Sequence, residues 1–117
     1  MYFVRKTFEF SAAHRLTLDY PSQCANLHGH NWKVTVECRS RELDRNGMVV
    51  DFSEIKRRVL DALDHKVLNE VLDFNPTAEI IARWIVETVP YCFRAEVEES
   101  LGNWAAYERD EDATEKI

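Results

Sequence analysis

Few cysteines, no long apolar run and a deficit of basic residues set the outer limits of this sequence. Cys24, Cys38 and Cys92 are odd in number and widely spaced, which argues against a disulfide framework and for reduced thiols. No apolar run approaches the length of a membrane span. The opening stretch Met1-Tyr2-Phe3-Val4-Arg5 alternates as a strand does and offers no signal-peptide cleavage site, so a cytoplasmic protein is expected. Lys and Arg total 15 against 21 Asp and Glu, for a net charge of −6. That balance argues against nucleic acid as the main partner, while leaving room for a phosphorylated small molecule held by a local basic cluster. There is no internal repeat, low-complexity segment or linker, and 117 residues suit one domain with one modest core.

What is present is a clear alternation of strand and helix patterns. Residues 2–11 alternate with Tyr2, Val4, Phe8 and Phe10 on one face, and the same phase continues to Ala12 and His14. Turn-forming residues fill 15–27 and deliver Cys24. Residues 30–39 have the cleanest period of two, with His30, Trp32, Val34, Val36 and Cys38 on one face and His28 in phase with them. Asn46-Gly47 marks a turn. Asp51 precedes a helix from about Ser53 to Leu63, with Glu54 as a variant capping box. Asn75-Pro76-Thr77 opens a second helix to about Thr88, with Asn75 or Thr77 as its cap. Residues 91–99 and 104–108 read as two further strands, Glu99 falling in the apolar phase of Tyr91, Phe93, Ala95 and Val97. The order ββααββ predicts an α+β fold, a four-stranded antiparallel sheet with both helices on one face. Its domain spans 1–109, followed by a frayed charged tail at 110–117.

Four titratable residues interrupt the apolar phase: His14, His28, His30 and Glu99. Burying three imidazoles without partners is costly, and a shared cation removes that cost. Zinc suits three neutral imidazoles and leaves a fourth position open for water or substrate. Nickel, copper or iron also accept such a set. Cys24 is a fourth ligand of a closed structural site or, alternatively, a nearby base or nucleophile. Glu99 is a charge reaching water at a strand end or a carboxylate aimed into a pocket, where it suits a guanidine-like edge. Asp64-His65 is a polar helix exit or half of a proton relay.

Six segments carry a resemblance: Phe10-Ser11-Ala12-Ala13-His14, Cys24-Ala25-Asn26-Leu27-His28-Gly29-His30, Gly47-Met48-Val49-Val50-Asp51-Phe52, Leu63-Asp64-His65, Asn75-Pro76-Thr77-Ala78-Glu79 and Val97-Glu98-Glu99-Ser100. In this order they resemble the 6-pyruvoyl tetrahydropterin synthase family over residues 3–109, and the three residues between Cys24 and His28 favour its bacterial carboxytetrahydropterin-forming branch. The resemblance implies the tunnelling fold, assembled as trimers stacked into hexamers. It implies zinc at His14, His28 and His30, Cys24 as catalytic base, and Asp64 and His65 in a triad with it from a neighbouring subunit. It implies Glu99 as the pterin anchor, with Thr77 and Glu79 shaping the pocket; Lys33, Arg15 and Lys66 are candidates for the triphosphate. The implied reaction converts 7,8-dihydroneopterin triphosphate to 6-carboxy-5,6,7,8-tetrahydropterin, releasing acetaldehyde and triphosphate, in queuosine biosynthesis. Two alternatives stand beside it: the pyruvoyl reaction, which keeps the side chain, and a non-catalytic pterin- or purine-binding protein with structural zinc.

Overall fold

A computed structural model describes residues 1–110; all but the first residue of the tail expected to fray at 110–117 lies outside the described residues. The elements are β1 (Tyr2–His14), β2 (His28–Ser40), α1 (Phe52–Leu63), β3 (Lys66–Val67), α2 (Leu68–Val71), α3 (Ala78–Thr88), β4 (Cys92–Ser100) and β5 (Asn103–Glu108), with a 3-10 turn at Gln23–Ala25. The sheet has five strands in the order β3-β1-β2-β4-β5. The expected α+β arrangement is present with two corrections. The sheet is mixed, because β3 runs parallel to β1 at Ala12 and Ala13. A third helix, α2, has one turn. Two residues of strand and four of helix are too short to carry a period, so no alternation in the sequence marks them.

One face of the sheet is dry. Phe8, Phe10, Trp32, Val34, Val36, Ala95 and Val97 meet Ile55, Val59 and Leu63 of α1 and Ile81, Ile85 and Val86 of α3 in one core cluster. The opposite face carries charge. Glu37 takes Arg5 at 2.9 Å and Arg94 at 3.3 Å, and Arg94 also meets Glu96 at 2.6 Å. Alternation of side chains along each strand produces this division. The ladders slip twice: Glu37 opposes Arg94 but Cys38 opposes Cys92, so Phe93 is an extra residue in β4 against β2, and Glu98 opposes Trp104 but Ser100 opposes Asn103, so Glu99 is an extra residue in β4 against β5. The first bulge brings Cys92 into the core beside Cys38, against the phase expected through Tyr91 and Phe93.

The helix ends follow their cap chemistry. Asp51 accepts the Ser53 N–H at 2.8 Å and starts α1. Glu54 does not complete a capping box; it pairs with Arg57 and Arg58 along the helix. Thr77 caps α3 by accepting the Ile80 N–H at 3.2 Å. Asn75 has a different partner, in the segment that follows β1.

Candidate metal centre

The β1–β2 ladder assembles the imidazoles. His14 lies directly opposite His28, and His30 lies opposite Ala12, one same-face position further in. Cross-strand partners and i, i+2 neighbours on one face are the closest side-chain relations in an antiparallel pair. Three imidazoles in these positions therefore converge, with ring centroids 4.7, 5.3 and 4.8 Å apart. Trp32, fully buried, backs them edge-on against His14 and His30 and donates its indole N–H to the Ala12 carbonyl at 3.1 Å. From β4, Glu99 reaches the same point: its Oε2 lies 2.8 Å from His30 Nε2 and 3.4 Å from His14 Nε2. Among the described residues, His14, His28, His30 and Glu99 offer ligand atoms all within 4.8 Å of one another.

The tautomers suit a cation. His14 Nδ1 faces the Pro76 carbonyl at 2.9 Å and His28 Nδ1 faces the Asn26 carbonyl at 2.7 Å. A carbonyl only accepts, so each Nδ1 carries a proton, and in the neutral ring Nε2 is then the nitrogen with a free lone pair. The Nε2 atoms of His14 and His30 are buried and have no aligned hydrogen bond. Two orphaned imidazole nitrogens beside a carboxylate are what a bound cation satisfies, and the outward N–H to a backbone carbonyl is the usual support of a metal-binding histidine. Burial is the main influence on His30 and holds it below the ordinary imidazole range, against the opposing pull of Glu99.

The remaining sequence candidates divide by location. Glu79 and Glu99 line a cavity of about 300 Å³ with Gly102, Asn103 and Trp104. The Thr77 hydroxyl is engaged in capping α3. Cys24 is exposed on the 3-10 turn and is not among the converging ligands. Its backbone N–H is held by the Ser22 hydroxyl at 3.1 Å. Asp64 and His65 sit at the β3 edge. Asp64 accepts the Ser11 N–H at 3.0 Å through one oxygen and meets His65 Nδ1 at 3.0 Å through the other. The Ser11 N–H is the main reason the Asp64 carboxyl lies below its usual range, with His65 adding to it. His65 has φ 59 and is 81% exposed, its ring outside the imidazole cluster. Of the phosphate candidates, Lys66 Nζ donates to the Asp61 carbonyl at 2.8 Å.

Sequence reasoning did not find Pro76, Asn26 or Trp32 as supports of the cluster. Two act through backbone carbonyls, which no side-chain pattern reveals. Trp32 looks like core because it is core, and its support of the rings is a consequence of standing next to His30 in phase.

Three sheet-borne imidazoles and a carboxylate converging beside a cavity define an α+β protein equipped to bind a metal ion. A model of the 6-pyruvoyl tetrahydropterin synthase family matches residues 3–110, and the chain belongs to that family. The 6-carboxy-5,6,7,8-tetrahydropterin synthase of Bacillus subtilis is 30% identical over 121 residues, covering 89% of this chain and 83% of the relative. Its namesake from Synechocystis is 36% identical over 121 residues, covering 92% and 93%. The solved 6-pyruvoyl tetrahydropterin synthase of Caenorhabditis elegans superposes with a TM-score of 0.73 at 28% identity, covering 93% of this chain and 96% of that one.

Proposed function

We propose that this chain is a zinc-dependent lyase converting 7,8-dihydroneopterin triphosphate to 6-carboxy-5,6,7,8-tetrahydropterin, with release of acetaldehyde and triphosphate, in queuosine (7-deazapurine) biosynthesis. The observation that carries the reading is the convergence of three imidazoles with Glu99, beside the cavity that Glu99 lines. The carboxytetrahydropterin synthases similar over most of the chain support the choice of product.

His14, His28 and His30 hold the ion, for which zinc is the natural fit to neutral nitrogen donors with an open position. Zinc, when bound, polarises side-chain oxygens of the substrate and acidifies the C–H and O–H groups next to them. Glu99 accepts two N–H bonds from the amino-pyrimidinone edge of the pterin and so turns the reacting side chain toward the imidazoles. Glu79 lines the same cavity from the first turn of α3, and Thr77 caps that helix and so helps to set the cavity's shape. Cys24, as thiolate, takes the substrate proton; His65, oriented by Asp64, relays it.

We place the relay between two copies of the chain, because the His65 ring is exposed and is not among the converging ligands of its own cluster. We assign the assembly as a trimer or a hexamer of two trimers, with residues 1–109 forming one tunnelling-fold unit. Two features support association. The described residues leave the outer edges of β1, from Tyr2 to Phe10, and of β5 without a strand partner. Tyr2, Phe3, Met48 and Phe52 expose apolar surface around a cavity of about 420 Å³. No helix among the described residues is long and apolar enough to cross a membrane. Three free thiols suit the reducing cytoplasm, where we place the enzyme.

The test is incubation of the zinc-loaded protein with dihydroneopterin triphosphate. The reading expects acetaldehyde and the 6-carboxy product. Triphosphate release with a retained three-carbon side chain selects the pyruvoyl reaction instead, the activity named for the Caenorhabditis elegans structural relative. No turnover, with zinc lost on Cys24→Ala, selects a non-catalytic protein with a closed structural site.

A further inference from the structure

The chain leaves the sheet at His14, and the next three residues are held in an unusual way. Asn69 accepts the Arg15 N–H through Oδ1 at 2.9 Å and donates from Nδ2 to the Arg15 carbonyl at 2.9 Å. Two residues on, Asn75 repeats the arrangement, accepting the Thr17 N–H at 2.8 Å and donating to the Thr17 carbonyl at 3.1 Å. A carboxamide presents the same donor and acceptor as a peptide group. Alternate residues of an extended chain turn both backbone groups to one side. Two amide side chains therefore continue the pairing that β3 gives β1 at Ala13, past the point where β3 ends at Val67.

Leu16, between the two clamped residues, turns its N–H the other way and donates it to the Cys24 carbonyl at 2.9 Å. The thiol-bearing turn thus hangs on a segment whose opposite edge is fixed by Asn69 and Asn75. Both anchors are themselves fixed. Asn69 follows the fully buried Leu68. The Asn75 carbonyl accepts the Thr77 N–H at 2.9 Å, and the adjoining Pro76 carbonyl accepts from His14 Nδ1 at 2.9 Å. One short stretch before α3 holds the ring of His14 and, through Thr17 and Leu16, the backbone of Cys24.

We infer that Asn69 and Asn75 are positioning residues that set the place of Cys24 relative to the imidazole cluster. The inference rests on the proposed role of Cys24 as base only for its effect on turnover; the clamp itself has a separate readout. The Leu16 N–H is bonded to neither asparagine, so its protection reports transmission across the segment.

The experiment compares wild type with Asn69→Ala and Asn75→Ala, each as the full zinc-loaded chain, by amide hydrogen exchange and steady-state kinetics. Each substitution removes two hydrogen bonds and is expected to speed Leu16 exchange by about tenfold, while the amides of Phe10 and Val34 keep wild-type rates. Turnover is expected to fall by about tenfold in kcat, with KM within about threefold and zinc retained, as for an interaction made in the transition state. Wild-type protection of Leu16 in both variants overturns the clamp. Lost protection with unchanged kcat overturns the positioning role. Should the alanine variants fail to fold, Asn75→Asp keeps the acceptor and removes the donor. It is expected to accelerate Leu16 exchange by a smaller factor, and wild-type behaviour there counts against the clamp. If wild type itself shows no turnover, the proposed reaction falls, and Leu16 exchange still decides whether the clamp exists.

Discussion

The molecule carries two carboxylate–histidine groupings, and they differ in how complete they are. At the end of the β1–β2 ladder, Glu99 meets His30 at 2.8 Å within a set of four converging ligands, and two of the three rings are oriented by backbone carbonyls. At the β3 edge, Asp64 meets His65 at 3.0 Å, but the ring is 81% exposed and its backbone sits at φ 59. The first grouping is finished within one chain. The second has its two members paired but leaves the ring open to solvent. In our reading the exposed ring serves a second copy's active site.

The sharpest break between the two groupings comes from the cluster itself. His30→Ala removes a ligand, and zinc affinity is expected to fall by more than about 100-fold, the upper end for loss of a mere outer-shell partner. Turnover should vanish with the metal, as read by metal content after dialysis and by product assay. Full metal retention would show that the cluster is not the site. Next in size, Cys24→Ala is expected to cost on the order of 10²–10⁴ in turnover, the range for a general acid or base, with metal content unchanged. Parallel loss of metal would move Cys24 into the coordination shell.

The Asp64–His65 pair should behave differently from the cluster. His65→Ala is expected to lose about 10²-fold in turnover while keeping zinc. Mixing it with the inactive His30→Ala variant and allowing subunits to exchange should restore part of the activity, since a hybrid interface joins an intact cluster to an intact His65. An equimolar mixture as inactive as its components would place both groupings in separate functions. The smallest effect is in stability. The Asp64 carboxyl is held below its usual range, mainly by the Ser11 N–H. A depressed folded-state value means its contribution is present above the unfolded carboxyl value of about 3.9 and is lost as pH falls through the lower folded value. Acid unfolding should therefore be steeper below about pH 4 in wild type than in Asp64→Asn. Identical acid limbs would show that the Ser11 contact contributes nothing.

Much of the cluster was legible before any coordinates. Period-two phase set His14, His28 and His30 on the face of Trp32 and Val34, and it set Glu99 with Val97. Phase could not say how close Glu99 comes to His30, because that distance depends on the pairing of β2 with β4, from strands far apart in the chain. The same limit explains Cys92. A bulge at Phe93 shifts its phase by one, and a local pattern holds no trace of the partner strand that makes the bulge. The sequence offers Asn75 as a possible helix cap, a local role. Its partner, Thr17, lies 58 residues away in the chain, and Thr77 performs the capping.

The sequence by itself determined which faces are wet and dry, where α1 and α3 begin, and which side chains are imidazoles aimed inward. These follow from the 2.0 and 3.6 residue periods and from cap chemistry, all of which act within a few residues. The tertiary structure alone decided that Pro76 and Asn26 fix the His14 and His28 tautomers, that β3 and two asparagines continue the sheet past His14, and that His65 lies outside the set of converging ligands. Each of these is a hydrogen bond or an orientation set by which distant segments are brought side by side, and that choice belongs to the packed core as a whole.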